Sequence, residues 1–361
     1  MIIYILGAFL LSLLCGGIST PLVLDFCKRK RLYDIPNERK VHKNATPRLG
    51  GITFFPSMLI AFITVLWFSP AIVQETLSIT VWSALFMMGL VIMYFTGIID
   101  DLVGLNATTK FTVQIITACL LTSGGLYFNN LYGLFGIYEI PYYIGLPLTI
   151  FMIVFIDNAI NLIDGIDGLA ASLSLLAMAG FLAYFVYYDV FMNTYSILIA
   201  GLMGTLMAFL YFNIYGKPER NTKIFMGDSG SLSLGFILGF LTVKCAASND
   251  VIWPTTRPEA IIVPWTLLFV PMADVVRVTL HRLRFHTPLF RADKNHIHHK
   301  LMRAGLTQHQ ALGTILLLAI GFIVVNSLLY LVISPTFIII VDILIYTIVN
   351  VIINRKTPHT A

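Results

Sequence analysis

Eleven separate stretches of this chain are apolar and about 17–25 residues long, and that constrains its fold more than any other feature. They run roughly 2–26, 50–69, 80–99, 111–128, 144–160, 169–188, 195–215, 229–247, 259–280, 311–333 and 337–353. In hydrocarbon every backbone N–H and C=O must be satisfied within the protein, which leaves helices or a closed barrel. A barrel strand needs only about ten residues with alternating polarity, so these continuous runs read as helices. Composition agrees: 58% of the residues are hydrophobic and 11% charged, against about 25% charged in a soluble domain. The expected fold is therefore an all-α polytopic membrane protein with about eleven transmembrane helices, residues 1–361 forming one integral membrane domain.

Charge placement orients it. The first apolar run has no basic residue before it and no small-residue cleavage site, and Lys28, Arg29, Lys30 and Arg31 follow it. It reads as an anchor helix with its start outside, not a cleaved signal peptide. The inside loops are then 27–49, 100–110, 161–168, 216–228, 281–310 and the tail. With Arg277 at a helix end, they hold 21 of the 23 Lys and Arg residues; only Lys244 and Arg257 fall outside. The bias puts the C-terminus in the cytoplasm. The net charge of +5 thus reflects a membrane partner, not nucleic acid.

Five polar clusters interrupt the apolar pattern, all on the inner face. The densest is Asp157–Leu169, reading DNAINLIDGIDGL between two apolar runs. Asn161, Asp164 and Asp167 recur at a spacing of three, one face if the segment is helical. Such groups cost several kcal/mol each in hydrocarbon unless paired or wet. A polar turn needs neither three acids nor two asparagines, whereas hard oxygens suit a divalent cation such as Mg²⁺. Asp100 and Asp101 follow the third run directly, suited to metal, phosphate or proton-transfer chemistry, with Lys110 in the same loop. Phe225–Ser231 reads FMGDSGS at the start of the eighth run, where helix N–H groups favour an anion.

The loop containing Arg291, His296, His298 and His299 offers a soft metal site or a cationic cradle for phosphate; basic neighbours and the lack of a Cys partner favour the cradle. The first inside loop carries His42, Lys43 and Arg48 ahead of Gly50 and Gly51, a shaped, phosphate-facing loop or positive-inside charge alone. Acids, a hard cation and surplus cations at one membrane face are what phosphoryl transfer requires.

In order, HKNATPRLGG, the Asp-Asp pair with its later lysine, NAINLIDGIDGL, FMGDSGS and DKNHIHH resemble the polyprenyl-phosphate N-acetylhexosamine-1-phosphate transferase family over Val41 to about Leu301. The HIHH spelling is similar to the branch that uses UDP-GlcNAc and undecaprenyl phosphate to start O-antigen, common antigen or teichoic acid linkage. The resemblance implies a Mg²⁺- or Mn²⁺-dependent transfer of GlcNAc-1-phosphate with release of UMP, in a bacterial cytoplasmic membrane, and leaves room for a homodimer. It implies Asp228 and Asn161 as metal ligands and Asp100 as base, supported by Asp101. Asp164 matches an acid of less settled role. Phe225 and Asp167 would meet the uracil, Lys110 the diphosphate, and Arg291, His296, His298 and His299 phosphate or sugar. The alternatives are another UDP-N-acetylhexosamine, UDP-MurNAc-pentapeptide, or a secondary transporter, whose acids would lie near the midplane within inverted repeats.

Overall fold

The computed structural model describes residues 1–34, 45–69, 80–188, 193–220, 222–247, 257, 259–288 and 294–356, the side chains of Asn193 and Lys356 excepted. Among them the helices are α1 Ile2–Lys30, α2 Phe54–Trp67, α3 Val81–Val103, α4 Ala107–Ser123, α5 Tyr142–Ile163, α6 Leu169–Tyr188, α7 Asn193–Tyr215, α8 Asp228–Ala246, α9 Glu259–Arg284, α10 Ile297–Arg303, α11 Gln308–Leu329 and α12 Pro335–Lys356. Among the described residues strands are confined to two short antiparallel pairs, β1 Tyr33–Asp34 with β2 Thr46–Pro47, and β3 Asn130–Leu134 with β4 Ile137–Glu139.

Ten of these helices, α2 counted with the preceding turn Gly50–Thr53, are long and apolar enough to cross a membrane. The eleventh expected span is α4, whose 17 residues rise about 26 Å. Lys110 near its start bonds Asp100 at the end of α3. Gly124 just past its end packs on Trp82 at the start of α3. It therefore traverses the same thickness as α3. It lies about four residues earlier than its apolar run, because Gly124 and Gly125 end it.

The helix ends alternate between two faces. At one, Glu259 accepts from Tyr188 and Tyr330, Lys244 lies 3.8 Å over the Trp82 ring, and Phe135 N–H donates to Thr336. At the other, the ends of α3, α5 and α7 meet the starts of α2, α6 and α8. Most polar clusters expected from sequence gather there, rather than at the midplane as a transporter would have them.

Helix α8 is the axis of the bundle. Ser229 through Ala246 are all buried, whereas α1 exposes Ile3, Leu6, Leu10, Leu14, Ile18 and Leu22 along one apolar stripe. Small residues bring neighbours close to α8: Gly235 faces Asp157 of α5, Gly239 faces Ile153, and Gly97 of α3 sits on Ser229.

Two expected loops are shorter than their sequence boundaries. Asp100 and Asp101 lie in the last turn of α3, and only Gly104–Asn106 connect it to α4. Likewise Asn161, Asp164 and Asp167 do not share a helical face. Helix α5 stops at Ile163, and a turn through Gly165 and Gly168 (φ +75°) follows.

Candidate active site

A cavity of about 430 Å³ opens at this face. Its walls come from Asp34 and Arg48, the end of α3, Lys110, the 161–167 turn, the 225–228 approach to α8, His299 and Gln308.

The geometry starts from backbone pairing between two motifs. Phe225 N–H donates to Pro47 O (2.7 Å), Gly50 N–H to Phe225 O (2.9 Å) and Gly51 N–H to Met226 O (2.7 Å). A Cβ on Gly51 would lie 2.1 Å from Gly230 N, so the glycine lets this loop touch the start of α8. Gly227 then turns the chain at φ +76°. A Cβ there would fall 2.2 Å from Arg48 O and about 2.5 Å from the Asp101 carboxylate. That carboxylate accepts from the N–H groups of Asp228 (2.9 Å) and Ser229 (3.0 Å), two donors a helix start leaves open. Asp101 is thus turned toward α8, not toward Asp100 as its supporting acid. Arg48 donates from Nε to Asp101 O at 2.8 Å and from Nη2 to Asp100 O at 3.3 Å. It holds the carbonyl end of α3, where a cation is favoured. It lines the cavity while its hydrogen bonds go to backbone.

Asp228, first residue of α8, presents its carboxylate to the cavity. Its Oδ1 accepts from Asn161 Nδ2 at 2.6 Å and lies 3.4 Å from Lys110 Nζ. Lys110 also reaches Asp100 Oδ2 at 3.1 Å, so one ammonium bridges two acids. Asp100 is buried, with Oδ1 2.5 Å from Leu105 N–H. Asn161 donates also to Ser231 Oγ (2.8 Å).

Asp164 and Asp167 stand on the adjoining wall with Phe225. Desolvation, then the charges of Asp228, Asp167 and Asp101, pushes the Asp164 carboxyl up to about 8. Asp167 pairs with Lys223 at 2.7 Å. Asn213 ties the walls together, accepting from Gly168 N–H (2.6 Å) and donating to Ile224 O (2.8 Å). Lys223 and Asn213 belong to none of the five sequence clusters. Lys223 stands two residues before Phe225, and Asn213 was the polar residue near the end of an apolar run.

Of the histidines, His299 lines the cavity. His298 is buried against Gly165, and neither ring nitrogen has a hydrogen-bond partner among the described residues. Desolvation, then His299 and His296, lowers it to about 3, so it is neutral at working pH. His296 is buried with its ring parallel to that of His298, centroids 5.9 Å apart. His42, Lys43 and Arg291 lie outside the described residues.

Among the described residues no three His, Cys, Asp or Glu side chains form a metal cage. The Asp228 carboxylate, the neighbouring Asn161 amide and the Ser231 hydroxyl still fit a hard cation. Mg²⁺ is commonly held by one or two carboxylates and completed by water and substrate phosphates.

A family model described as glycosyl transferase family 4 matches residues 82–246, the segment from α3 through α8. Among curated proteins, a probable undecaprenyl-phosphate N-acetylglucosaminyl 1-phosphate transferase of Bacillus subtilis is 32% identical over 89% of this chain and 83% of its own. A decaprenyl-phosphate N-acetylglucosaminephosphotransferase of Mycobacterium leprae is 31% identical over 86% of this chain and 79% of its own. An undecaprenyl-phosphate alpha-N-acetylglucosaminyl 1-phosphate transferase of Escherichia coli K12 is 28% identical, over 81% and 75%.

Proposed function

The chain belongs to glycosyl transferase family 4, and from that premise we propose that it transfers GlcNAc-1-phosphate from UDP-GlcNAc to undecaprenyl phosphate. The products are undecaprenyl-diphospho-GlcNAc and UMP. The names of the relatives support the sugar and the polyprenyl acceptor. The observation that carries the reading is one cavity in which Asp228 meets both Asn161, at 2.6 Å, and the bridging Lys110.

The reaction runs from these residues. A phosphate oxygen of the lipid forms a bond to the phosphorus that carries the sugar, and the bond from that phosphorus to UMP breaks. The lipid phosphate has a second pKa near 6, so at neutral pH it is largely a dianion and already nucleophilic. Asp100 takes the remaining proton when one is present, a contribution at the low end of about 10²–10⁴-fold. Lys110 neutralises the diphosphate, with His299 facing it from the opposite element. Phe225 stacks on the uracil, and Asp167, oriented by Lys223, accepts from its edge. Asp228 and Asn161 would hold Mg²⁺ or Mn²⁺, which when bound supplies charge neutralisation for the transferring phosphoryl group.

The sequence assigns 21 of the 23 Lys and Arg residues to inside loops, which supports a cytoplasmic face in a bacterial inner membrane. Purified protein given UDP-GlcNAc, undecaprenyl phosphate and Mg²⁺ should release UMP. EDTA should stop it and added Mg²⁺ restore it. No release from UDP-GlcNAc, with release from another UDP-sugar in a panel, would reassign the substrate.

A further inference from the structure

The HIHH loop is held by a residue of helix α9 that no local motif marks. Helix α9 is apolar through most of its length, yet Asp274 sits in it with no exposure at all. Its Oδ2 lies 2.8 Å from His296 Nδ1. Its Oδ1 accepts from Ile297 N–H at 3.0 Å and from Arg277 Nη2 at 2.7 Å. Arg277 also donates to Asn295 O (2.5 Å). A carboxylate from one helix thus caps the first N–H of another. Helix α10 has seven residues, too few to be stable alone, so its contacts with the bundle, this one at its first N–H among them, decide where it sits.

The consequences run outward along α10. Asp274 only accepts, so in the neutral imidazole His296 carries its proton on Nδ1 and its orientation is set. His298 follows two residues on and packs against Gly165 of the 161–168 turn. His299, with its ring centroid 4.2 Å from that of His298, reaches the cavity.

Resting on the function proposed above, we infer that Asp274 is a positioning residue for the transfer: it orients His296 and pins α10, so that His299 faces the substrate. It touches no part of the cavity itself. Carboxylates that orient a metal-ligating histidine matter by about 10–100-fold, and the same order is expected for one that orients His296.

The test joins a spectroscopic readout to a mutant cycle. In ¹⁵N-histidine NMR of the detergent-solubilised protein, the His296 signal, assigned by its loss in His296→Gln, should report Nδ1 protonation. Asp274→Asn, isosteric and uncharged, should change that signature and lower kcat/KM by about 10–100-fold. Combined with His299→Ala, it should cost no more than the worse single variant. If Asp274→Asn does not fold, His296→Gln breaks the same bond from the other side and takes its place in the cycle. An unaltered signature in folded Asp274→Asn, or losses that multiply in the double variant, would overturn the inference. The NMR readout needs no turnover, so failure here is distinct from the wild type failing to use UDP-GlcNAc.

Discussion

Asp101→Asn separates two roles for the acid beside Asp100. In the structure both carboxylate oxygens accept N–H groups at the start of α8, 2.9 and 3.0 Å away, in a buried setting. An asparagine keeps one acceptor and turns an NH₂ toward the other donor. One buried N–H is left unsatisfied, at about 1–3 kcal/mol. Loss of a helix cap alone costs about 0.5–2 kcal/mol, so about 2 kcal/mol is a fair expectation. Chains of 150–250 residues lose roughly 2–4 °C of Tm per kcal/mol, and this longer chain should lose a few degrees in all. Activity should fall too, because releasing either N–H loosens the start of α8, where Asp228 stands, and a displacement near 1 Å can cost about 10²-fold. The assay is thermal unfolding of detergent-solubilised protein without substrate, beside UMP-release kinetics. A large fall in kcat with Tm unchanged would refute the capping account and return Asp101 to a direct part in proton transfer.

Asp228→Ala should abolish UMP release, whereas Asp100→Asn should leave measurable turnover that falls less at high pH, where the lipid phosphate is already fully ionised. Gly165→Ala would place a methyl 2.1 Å from His298 Nε2; it should displace α10 and lower kcat/KM at least tenfold, read in the same assay. His298 is held neutral, its pKa of about 3 lying below the ordinary histidine value of roughly 6.5. Its contribution to stability is therefore full above pH ~6.5 and is lost as pH falls toward 3, by about 1.4 kcal/mol per unit. Thermal melts from pH 7 to 4.5 should show that slope in the wild type and a shallower one in His298→Gln.

The eleven spans were legible because apolar length is a local property, and each lies within a few residues of a helix. Where the boundaries differ, a glycine or the capping of a helix end decides, as at Gly124 and Asp101. The convergence of Asn161 on Asp228 followed from motifs sharing one face. Partnerships between distant segments did not: Lys223 with Asp167, Asn213 with Gly168 and Ile224, and Asp274 with His296 depend on packing that no local pattern encodes. Arg48 is a related case. A cation in a basic loop reads as a phosphate ligand; its Nε and Nη2 go to the carbonyls of α3, while Nη1 lies 3.8 Å from Asp34 Oδ1 at the cavity wall, an arrangement no local pattern announces. The spacing of three in the 161–167 stretch looked helical, but Gly165 and Gly168 make it a turn.

Burial of α8 from Ser229 through Ala246 has one further consequence. No acyl chain reaches this helix, so a thinner or thicker bilayer strains the outer helices first. The depth of Asp228 is referenced to its protein neighbours through the glycine contacts of α3 and α5, not to the lipid. Catalysis should therefore tolerate changes in membrane thickness that tilt α1, and a series of vesicles of graded chain length would leave kcat flat.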